Sequence, residues 1–400
     1  MRLLNQNVQW HLTEVCSNRC KHCYIGESTN NKRRESQLDF NGLLSILNNI
    51  GEFEKKYDMS VGVYSLTGGD PFEHPDFERL LEELYLRNKV IKILGIPERI
   101  TKETLALLDK FHVDTYQLSL DGMQETHDTI RGNGSFNKTI NAIEMLNQYS
   151  RIHPHIMYTL HEKNCEELFE LIEYLDSLGL DVSFSFDFLV LQGQAKSNFN
   201  IMDKTMVDRI LEKYRKKLLE LKERGSELVL REKVKLFETF NVKDANVKFK
   251  QYSYVSGCPC GIGSVSILPN GDLLPCRRLP ITIGNLTREK YSDLFLNNVT
   301  MRKLRRISSY KLCWDCDYAK VCRGCPALSY STTGDAFGEL IYCNRKKKIE
   351  PELNEPPLDC TEEEEFEYIV NNPSSAIQKE GIEDNMEAIK YDIFRRYLLG

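Results

Sequence analysis

The chain has 400 residues, a length that predicts two or more domains. It is 41% hydrophobic and 28% charged. Its formal net charge of −6 argues against binding nucleic acid by neutralising its phosphates. No stretch of about eighteen apolar residues could span a membrane, and the first residues lack the apolar core of a secretion signal. We therefore expect a cytoplasmic protein with no membrane or nucleic-acid partner.

Short apolar strands alternate with amphipathic helices up to about residue 195. The helices show apolar residues at helical spacing, as at 43–50, 77–84 and 168–175. Asn164 followed by Glu167 predicts a capping box for the last of these helices, and Gly179 predicts its end. The six predicted strands are 8–15, 60–66, 90–95, 113–120, 153–160 and 181–190. Six strand–helix units predict an α/β fold with a parallel sheet, closed or partly closed, and with its chemistry at the carboxyl ends of the strands.

The chain changes character twice after the predicted barrel at 1–200. Residues 201–256 are mainly charged with helical periodicity, which suits a helical connector. Residues 257–348 are rich in Cys, Gly and Pro, which is typical of a domain held by metal rather than by apolar burial. Residues 349–400 predict a helical tail, in which the acidic run 362–365 is interpreted as a solvated helix face. The tail ends in an amphipathic stretch with Ile389, Ile393, Phe394 and Leu398.

Thirteen cysteines need a reason other than disulfides in a compartment that keeps thiols reduced. Three of them follow the first strand, and Cys165 and Cys360 stand apart and are interpreted as ordinary thiols. The other eight are Cys258, Cys260, Cys276, Cys313, Cys316, Cys322, Cys325 and Cys343. Eight thiolates suffice for two four-ligand metal centres, and three suffice for one centre with an open position.

The first cysteine group has the spacing C-x3-C-x2-C, formed by Cys16, Cys20 and Cys23. Three thiolates on one tight loop can hold a [4Fe–4S] cluster and leave one iron free to bind a small molecule. A structural zinc site is the alternative, although such sites are normally closed by four ligands. His22 could supply a fourth ligand, but it is next to Cys23 in the same loop, which makes that geometry awkward.

This loop and two later segments resemble the radical S-adenosylmethionine superfamily, over about residues 8–195. The segment TGGDP at 67–71 resembles the family's GGEP motif with Asp in place of Glu, and SLDG at 119–122 followed by Arg131 also matches. By this resemblance His22 lies beside the adenine and Arg131 pairs with the methionyl carboxylate. Ser119 and Asp121 would hold the ribose hydroxyls. The amine would be approached by Gly68, Gly69, Asp70 and Pro71.

The resemblance implies a partial (β/α)6 TIM-like barrel and a specific cofactor chemistry. In that family the free iron of the cluster binds the amino and carboxylate groups of S-adenosylmethionine. An electron, from a donor such as flavodoxin or ferredoxin, then cleaves the cofactor. The product is a 5′-deoxyadenosyl radical, which abstracts hydrogen from the substrate.

The second cysteine group resembles the SPASM extension, which binds auxiliary iron–sulfur clusters in enzymes that modify peptides and proteins. By that resemblance an outer cluster is held by Cys313, Cys316, Cys322 and Cys343, and an inner one by Cys258, Cys260, Cys276 and Cys325. Together with the first group, this implies three [4Fe–4S] clusters. Two spacings in the inner set depart from the family pattern, so the inner cluster could keep an open iron. A zinc ribbon is the alternative, since CxxC pairs are common in such sites.

These patterns predict an enzyme that modifies a ribosomally made peptide or a protein by hydrogen abstraction, giving a crosslink, a thioether or a related product. Sulfatase maturation, which makes formylglycine, is a second possibility, but such enzymes carry Asp after the cysteine matching Cys276, where this chain has Arg277 and Arg278. A non-catalytic metal-bound scaffold is a third. Only fifteen residues precede Cys16, so we expect leader binding, if any, in the C-terminal part or in a separate protein.

Overall fold

The computed structural model describes residues 2–25, 36–231, 258–313, 324–343 and 357–370. Its strands are β1 (Arg2–Thr13), β2 (Met59–Gly68), β3 (Val90–Leu94), β4 (Val113–Ser119), β5 (His153–Leu160), β6 (Val182–Phe188), β7 (Leu228–Leu230), β8 (Ser264–Ile267), β9 (Asp272–Leu274) and β10 (Gly284–Asn285). Its α-helices are α1 (Phe40–Tyr57), α2 (Phe77–Leu86), α3 (Lys102–Lys110), α4 (Gln124–Arg131), α5 (Ser135–Tyr149), α6 (Leu168–Ser177), α7 (Ala195–Asn198), α8 (Lys204–Glu223), α9 (Val299–Arg305), α10 (Pro326–Thr333) and α11 (Glu362–Val370).

The strands form one sheet in the order β10-β9-β8-β1-β2-β3-β4-β5-β6-β7. Strands β1 to β7 pair in parallel with their neighbours, and β8 also pairs in parallel with β1. Strand β9 pairs antiparallel with both of its neighbours, β8 and β10. The first six strands confirm the predicted α/β fold with a partial (β/α)6 barrel. No helix in the described ranges has both the length and the hydrophobicity that crossing a membrane requires.

The two faces of the barrel strands differ in chemistry. The face toward the helices is apolar, as in β6, where Val182, Phe184, Phe186 and Phe188 are at most 6% exposed. The inner face is polar. Ser183 and Ser185 of β6 are buried on it, and both bond to His155, at 2.7 Å and 2.9 Å. The alternating apolar and polar residues of this strand therefore lie on opposite faces of the sheet.

The cysteine-rich segment shares the apolar core of the barrel. Val265, Ile267, Phe295 and Leu304 are 0% exposed and belong to the same buried cluster as the barrel residues. The expectation that metal would replace apolar burial there was therefore wrong. The domain boundaries drawn from the sequence stay predictions, and residues 232–256 of the proposed connector and 389–398 of the tail lie outside the described residues.

The predicted capping box of α6 is wrong. The residue preceding the helix is Glu167, whose side chain caps nothing and instead accepts hydrogen bonds from Met123 N and Thr126 Oγ1. Asn164 lies in the preceding turn and donates to the carbonyls of Asp121 and Thr159. The predicted end is confirmed, since α6 stops at Ser177 and Gly179 follows with a φ of 63°.

The acidic run in α11 is not a solvated face throughout. Glu365 is 0% exposed, and its carboxylate lies 3.3 Å from Arg302, 3.1 Å from Arg305 and 2.7 Å from Arg306. Glu363, two residues earlier, is exposed. One carboxylate therefore attaches α11 to α9, because three buried guanidinium groups converge on it.

Candidate functional site

The first cysteine loop follows β1 at the carboxyl end of the parallel strands. Cys23 O accepts a hydrogen bond of 2.8 Å from Gln194 N, which follows β6, and Lys21 N donates to Ile130 O of α4 at 3.0 Å. Asn198 Nδ2 adds a bond of 3.0 Å to Lys21 O. Loops that follow two other barrel strands therefore fix the position of the three thiols.

Gly68 and Gly69 allow the loop after β2 to approach the chain just before Cys16. A Cβ atom would lie 2.0 Å from Thr13 O at Gly68 and 2.2 Å from Val15 O at Gly69. Gly69 N and Asp70 N donate to these same two carbonyls, each at 2.8 Å. Close packing of two loops, which the sequence interpretation missed, is therefore one reason for the glycine pair.

The Asp70 carboxylate is fully buried and already bonded. Its Oδ2 lies 2.5 Å from Arg99 Nε, and its Oδ1 accepts from Phe72 N at 3.2 Å, at the start of the short 3-10 turn Pro71–Glu73. Burial raises the pKa of Asp70, and Arg99 opposes that rise. Arg99 follows β3 and was not predicted, because no local pattern connects it with residue 70.

One buried carboxylate brings three of the predicted site residues together. Asp121 Oδ2 lies 2.5 Å from Arg131 Nε and 2.9 Å from His22 Nε2, while its Oδ1 accepts from Thr159 N at 2.7 Å. Burial opposes ionisation, but Arg131 and His22 hold the pKa of Asp121 well below its ordinary value. Arg131 also extends Nη1 to within 3.8 Å of Cys20 Sγ. Asp121 therefore orients the side chains of Arg131 and His22 beside the thiols.

The surroundings of the loop fit a polar ligand. His22 Nδ1, His161 Nε2 and Glu162 Oε2 are buried without a hydrogen-bond partner among the described residues. Such atoms cost about 1–3 kcal/mol each unless a bound group satisfies them.

Burial also raises the pKa of Cys16 to about 11 and raises that of Cys20, so a positive metal centre is needed to favour their thiolates. Ser119 ends β4 on the inner face, half-buried.

Four thiols of the second group meet in the described structure. The Cys260 thiol contacts those of Cys258 and Cys276, and Cys258 also contacts Cys325. The hydrogen bond from Cys260, with Arg278 nearby, lowers the pKa of Cys276 to about 7. These four are the residues assigned from sequence to the inner cluster, and that assignment stays a prediction.

The proposed outer set is only partly described. Cys313 lies in a turn closed by a bond of 3.1 Å to Tyr310 O, and Cys343 in one closed by a bond of 2.9 Å to Leu340 O. Cys316 and Cys322 lie outside the described residues. Within the described ranges no three His, Cys, Asp or Glu side chains converge on a single metal ion. In an iron–sulfur cluster, by contrast, each thiolate binds a separate iron.

The loop after Cys276 packs on the mouth of the barrel. Arg278 Nη2 lies 3.3 Å from Asp187 Oδ2, and its Nη1 donates to Phe188 O at 3.1 Å, both at the end of β6. The Arg277 guanidinium lies 4.7 Å from the ring centre of Tyr24, directly after Cys23. The two cysteine groups therefore approach the same opening.

Comparison with known proteins adds two family matches. Residues 10–175 match the radical SAM superfamily, and residues 258–317 match SPASM, an iron–sulfur cluster-binding domain. The first range contains the first cysteine loop and the Asp121 network. The second begins at Cys258.

Full-length relatives and solved structures are similar at low identity. The chain is 27% identical to the AdoMet-dependent heme synthase of Methanosarcina barkeri, over 84% of this chain and 95% of that protein. It is 25% identical to the antilisterial bacteriocin subtilosin biosynthesis protein AlbA of Bacillus subtilis, over 79% of this chain and 66% of that protein. Its fold is similar to that of Streptococcus suis SuiB bound to precursor peptide SuiA, with a TM-score of 0.63, 17% identity and coverage of 84% and 74% of the two chains.

Proposed function

Because this chain is an enzyme of the radical SAM superfamily with a SPASM domain, we propose that it modifies a ribosomally made peptide by hydrogen abstraction, forming a crosslink, a thioether or a related product. Its radical SAM domain binds S-adenosylmethionine and one [4Fe–4S] cluster, and its SPASM domain binds auxiliary iron–sulfur clusters. When bound, S-adenosylmethionine and the first cluster supply a 5′-deoxyadenosyl radical. The observation that carries the choice of a peptide is the polar inner face of the barrel, below the mouth on which the Cys276 loop packs.

The residue assignments are those that the family resemblance implies. Cys16, Cys20 and Cys23 would hold the first cluster, and the four thiols around Cys276 the inner auxiliary one, where it could accept the surplus electron of an oxidation. Cys313, Cys316, Cys322 and Cys343 would hold the outer cluster. A donor such as flavodoxin or ferredoxin would supply the first electron, and a separate protein could bind a leader segment.

The polar inner face of the barrel supports a peptide substrate. Gln117, Ser119 and Thr159 lie half-buried on this face, toward the carboxyl ends of β4 and β5. They can hydrogen-bond to backbone amides, which every peptide offers. AlbA serves bacteriocin biosynthesis and SuiB binds a precursor peptide, which is consistent with this choice.

Arg131 gives a test of the cofactor pocket. Arg131→Ala should weaken S-adenosylmethionine binding by about 2–5 kcal/mol if the guanidinium pairs with the methionyl carboxylate in a closed site. Arg131→Lys should be intermediate, because a lysine keeps the charge but not the forked geometry. Equilibrium dialysis with the cluster-loaded protein measures both, with iron content as the control. Unchanged affinity in the Ala variant would show that the carboxylate binds elsewhere.

A tetrapyrrole is the second candidate substrate. The heme synthase of Methanosarcina barkeri aligns over 95% of its length, more than AlbA does. A tetrapyrrole would also need cationic groups for its propionates, and Arg277 is placed at the barrel mouth. The peptide remains our choice because of the hydrogen-bonding inner face.

Product masses discriminate among the substrates. Reduced, cluster-loaded enzyme with S-adenosylmethionine should remove two hydrogen atoms from the precursor peptide encoded beside its gene, or leave its mass unchanged if it inverts a centre. A sulfatase-type Cys peptide should stay unoxidised, because the residue after Cys276 is Arg277 and a guanidinium group cannot act as a base. Consumption of an iron tetrapyrrole with the precursor unaltered would replace the peptide by the second candidate. Formylglycine in the sulfatase peptide would favour maturation instead.

A further inference from the structure

Three buried side chains near the top of β1 carry polar atoms without a hydrogen-bond partner among the described residues. They are the two ring nitrogens of His11, the hydroxyl of Ser266 and the Nε of Arg277. His11 is 0% exposed, Ser266 1% and Arg277 8%. Because an unsatisfied buried donor or acceptor is costly, this cluster calls for a polar partner that the described residues do not supply.

The three side chains share one location. Ser266 of β8 is the register partner of Gln9 of β1, and His11 is two residues beyond Gln9, so Ser266 and His11 lie on the same face of the sheet. This is the polar inner face. Arg277 is close enough to His11 to lower the pKa of its ring, and its guanidinium covers Tyr24. The location is therefore between the first cysteine loop and the Cys276 loop.

The charged donor at this location is Arg277. Its Nη2 forms an ion pair of 3.8 Å with the carboxylate of Glu14, while its Nε has no hydrogen-bond partner among the described residues. The neighbouring Arg278 is engaged by Asp187 and by Phe188 O. Burial, with the charge of Arg277, lowers the pKa of His11 well below its ordinary value, so its imidazole is neutral and offers one donor and one acceptor.

We propose that Arg277, His11 and Ser266 form a binding site for a carboxylate of the substrate. The Arg277 Nε–H, one imidazole N–H and the Ser266 hydroxyl are three donors, and a carboxylate accepts several hydrogen bonds and carries the complementary charge. The inference rests on the proposed function and names its substrate class: a peptide with an acidic side chain or a free C-terminus. Binding there places the substrate between the two cysteine groups.

The test uses the full-length, cluster-loaded, reduced protein and two acetylated and amidated tripeptides, Ala-Glu-Ala and Ala-Gln-Ala. Proton NMR measures their binding, because the paramagnetic clusters broaden the signals of a peptide bound close to them. We expect the Glu peptide to bind about tenfold more tightly, since hydrogen bonds to a charged group are stronger than those between neutral groups. Arg277→Gln should abolish this preference and Ser266→Ala should reduce it. Arg288→Gln, at an exposed arginine of the same domain, should leave it intact.

A porphyrin pair separates this inference from the proposed function. Mesoporphyrin IX and its dimethyl ester differ only in their free carboxylates. In one outcome the protein prefers mesoporphyrin IX to its ester, loses that preference in Arg277→Gln, and shows no preference between the Glu and Gln peptides. This result would keep the carboxylate site and reject the peptide substrate. Equal binding within both pairs by the wild-type protein would overturn the site, whatever the precursor assay shows. The binding of the two pairs by the wild-type protein decides whether the carboxylate site exists, even if the Arg277→Gln protein fails to load its clusters.

Discussion

Changing Cys16, Cys20 and Cys23 together to Ala should abolish the formation of 5′-deoxyadenosine and leave the auxiliary iron in place. The three thiols lie on one loop whose backbone is fixed by Ile130, Gln194 and Asn198. Without these thiols the first cluster, which binds S-adenosylmethionine, cannot form. Three four-iron clusters amount to about twelve iron atoms per chain, so about a third should disappear. Anaerobic reconstitution, iron analysis and chromatography of the nucleoside measure both effects.

Cys165→Ala is the matched control. This thiol is buried, contacts Met206 and lies outside both cysteine groups. We expect full iron content and normal 5′-deoxyadenosine formation. Stoichiometric zinc with little iron in the wild-type protein would contradict the cluster assignment as a whole.

The second large effect is expected at Glu365. Glu365→Gln leaves Arg302, Arg305 and Arg306 buried without their common carboxylate, and breaking a buried ion pair from one side costs about 3–5 kcal/mol. Arg305 Nε also donates to Gly261 O, next to Cys260, at 2.9 Å. We therefore expect lower stability in urea together with loss of inner-cluster iron.

Glu363→Gln is the control for that variant, because Glu363 is exposed in the same helix and should change stability by less than about 0.5 kcal/mol. Equal stability of the Glu365→Gln and Glu363→Gln proteins would show that α11 does not support the cysteine-rich segment.

The barrel could be predicted because its signals are local. The strands are marked by short apolar runs, with a period of two in β6, and the helices by a period near 3.6. These signals depend only on neighbouring residues. The cysteine loop could be found for the same reason, since its three thiols lie within eight residues of sequence. The end of α6 was marked by Gly179.

Long-range partnerships were not predictable. Glu365 looked solvated because its neighbours are acidic, and nothing local indicates three arginines about sixty residues earlier. Asn164 matched a capping pattern, but bonds to Asp121 and Thr159 position it differently. The pairing of β8 with β1 joins segments more than 250 residues apart, so the position of Arg277 beside Tyr24 emerged only in three dimensions.

The central claim is that a radical made from S-adenosylmethionine takes a hydrogen atom from a peptide. It is tested most directly by mass spectrometry of the 5′-deoxyadenosine formed with a precursor peptide made from fully deuterated amino acids. We predict 5′-deoxyadenosine that carries one deuterium atom from the wild-type enzyme, and no 5′-deoxyadenosine from the variant in which Cys16, Cys20 and Cys23 are changed to Ala. Unlabelled 5′-deoxyadenosine from wild-type enzyme that has bound the deuterated peptide would contradict the account.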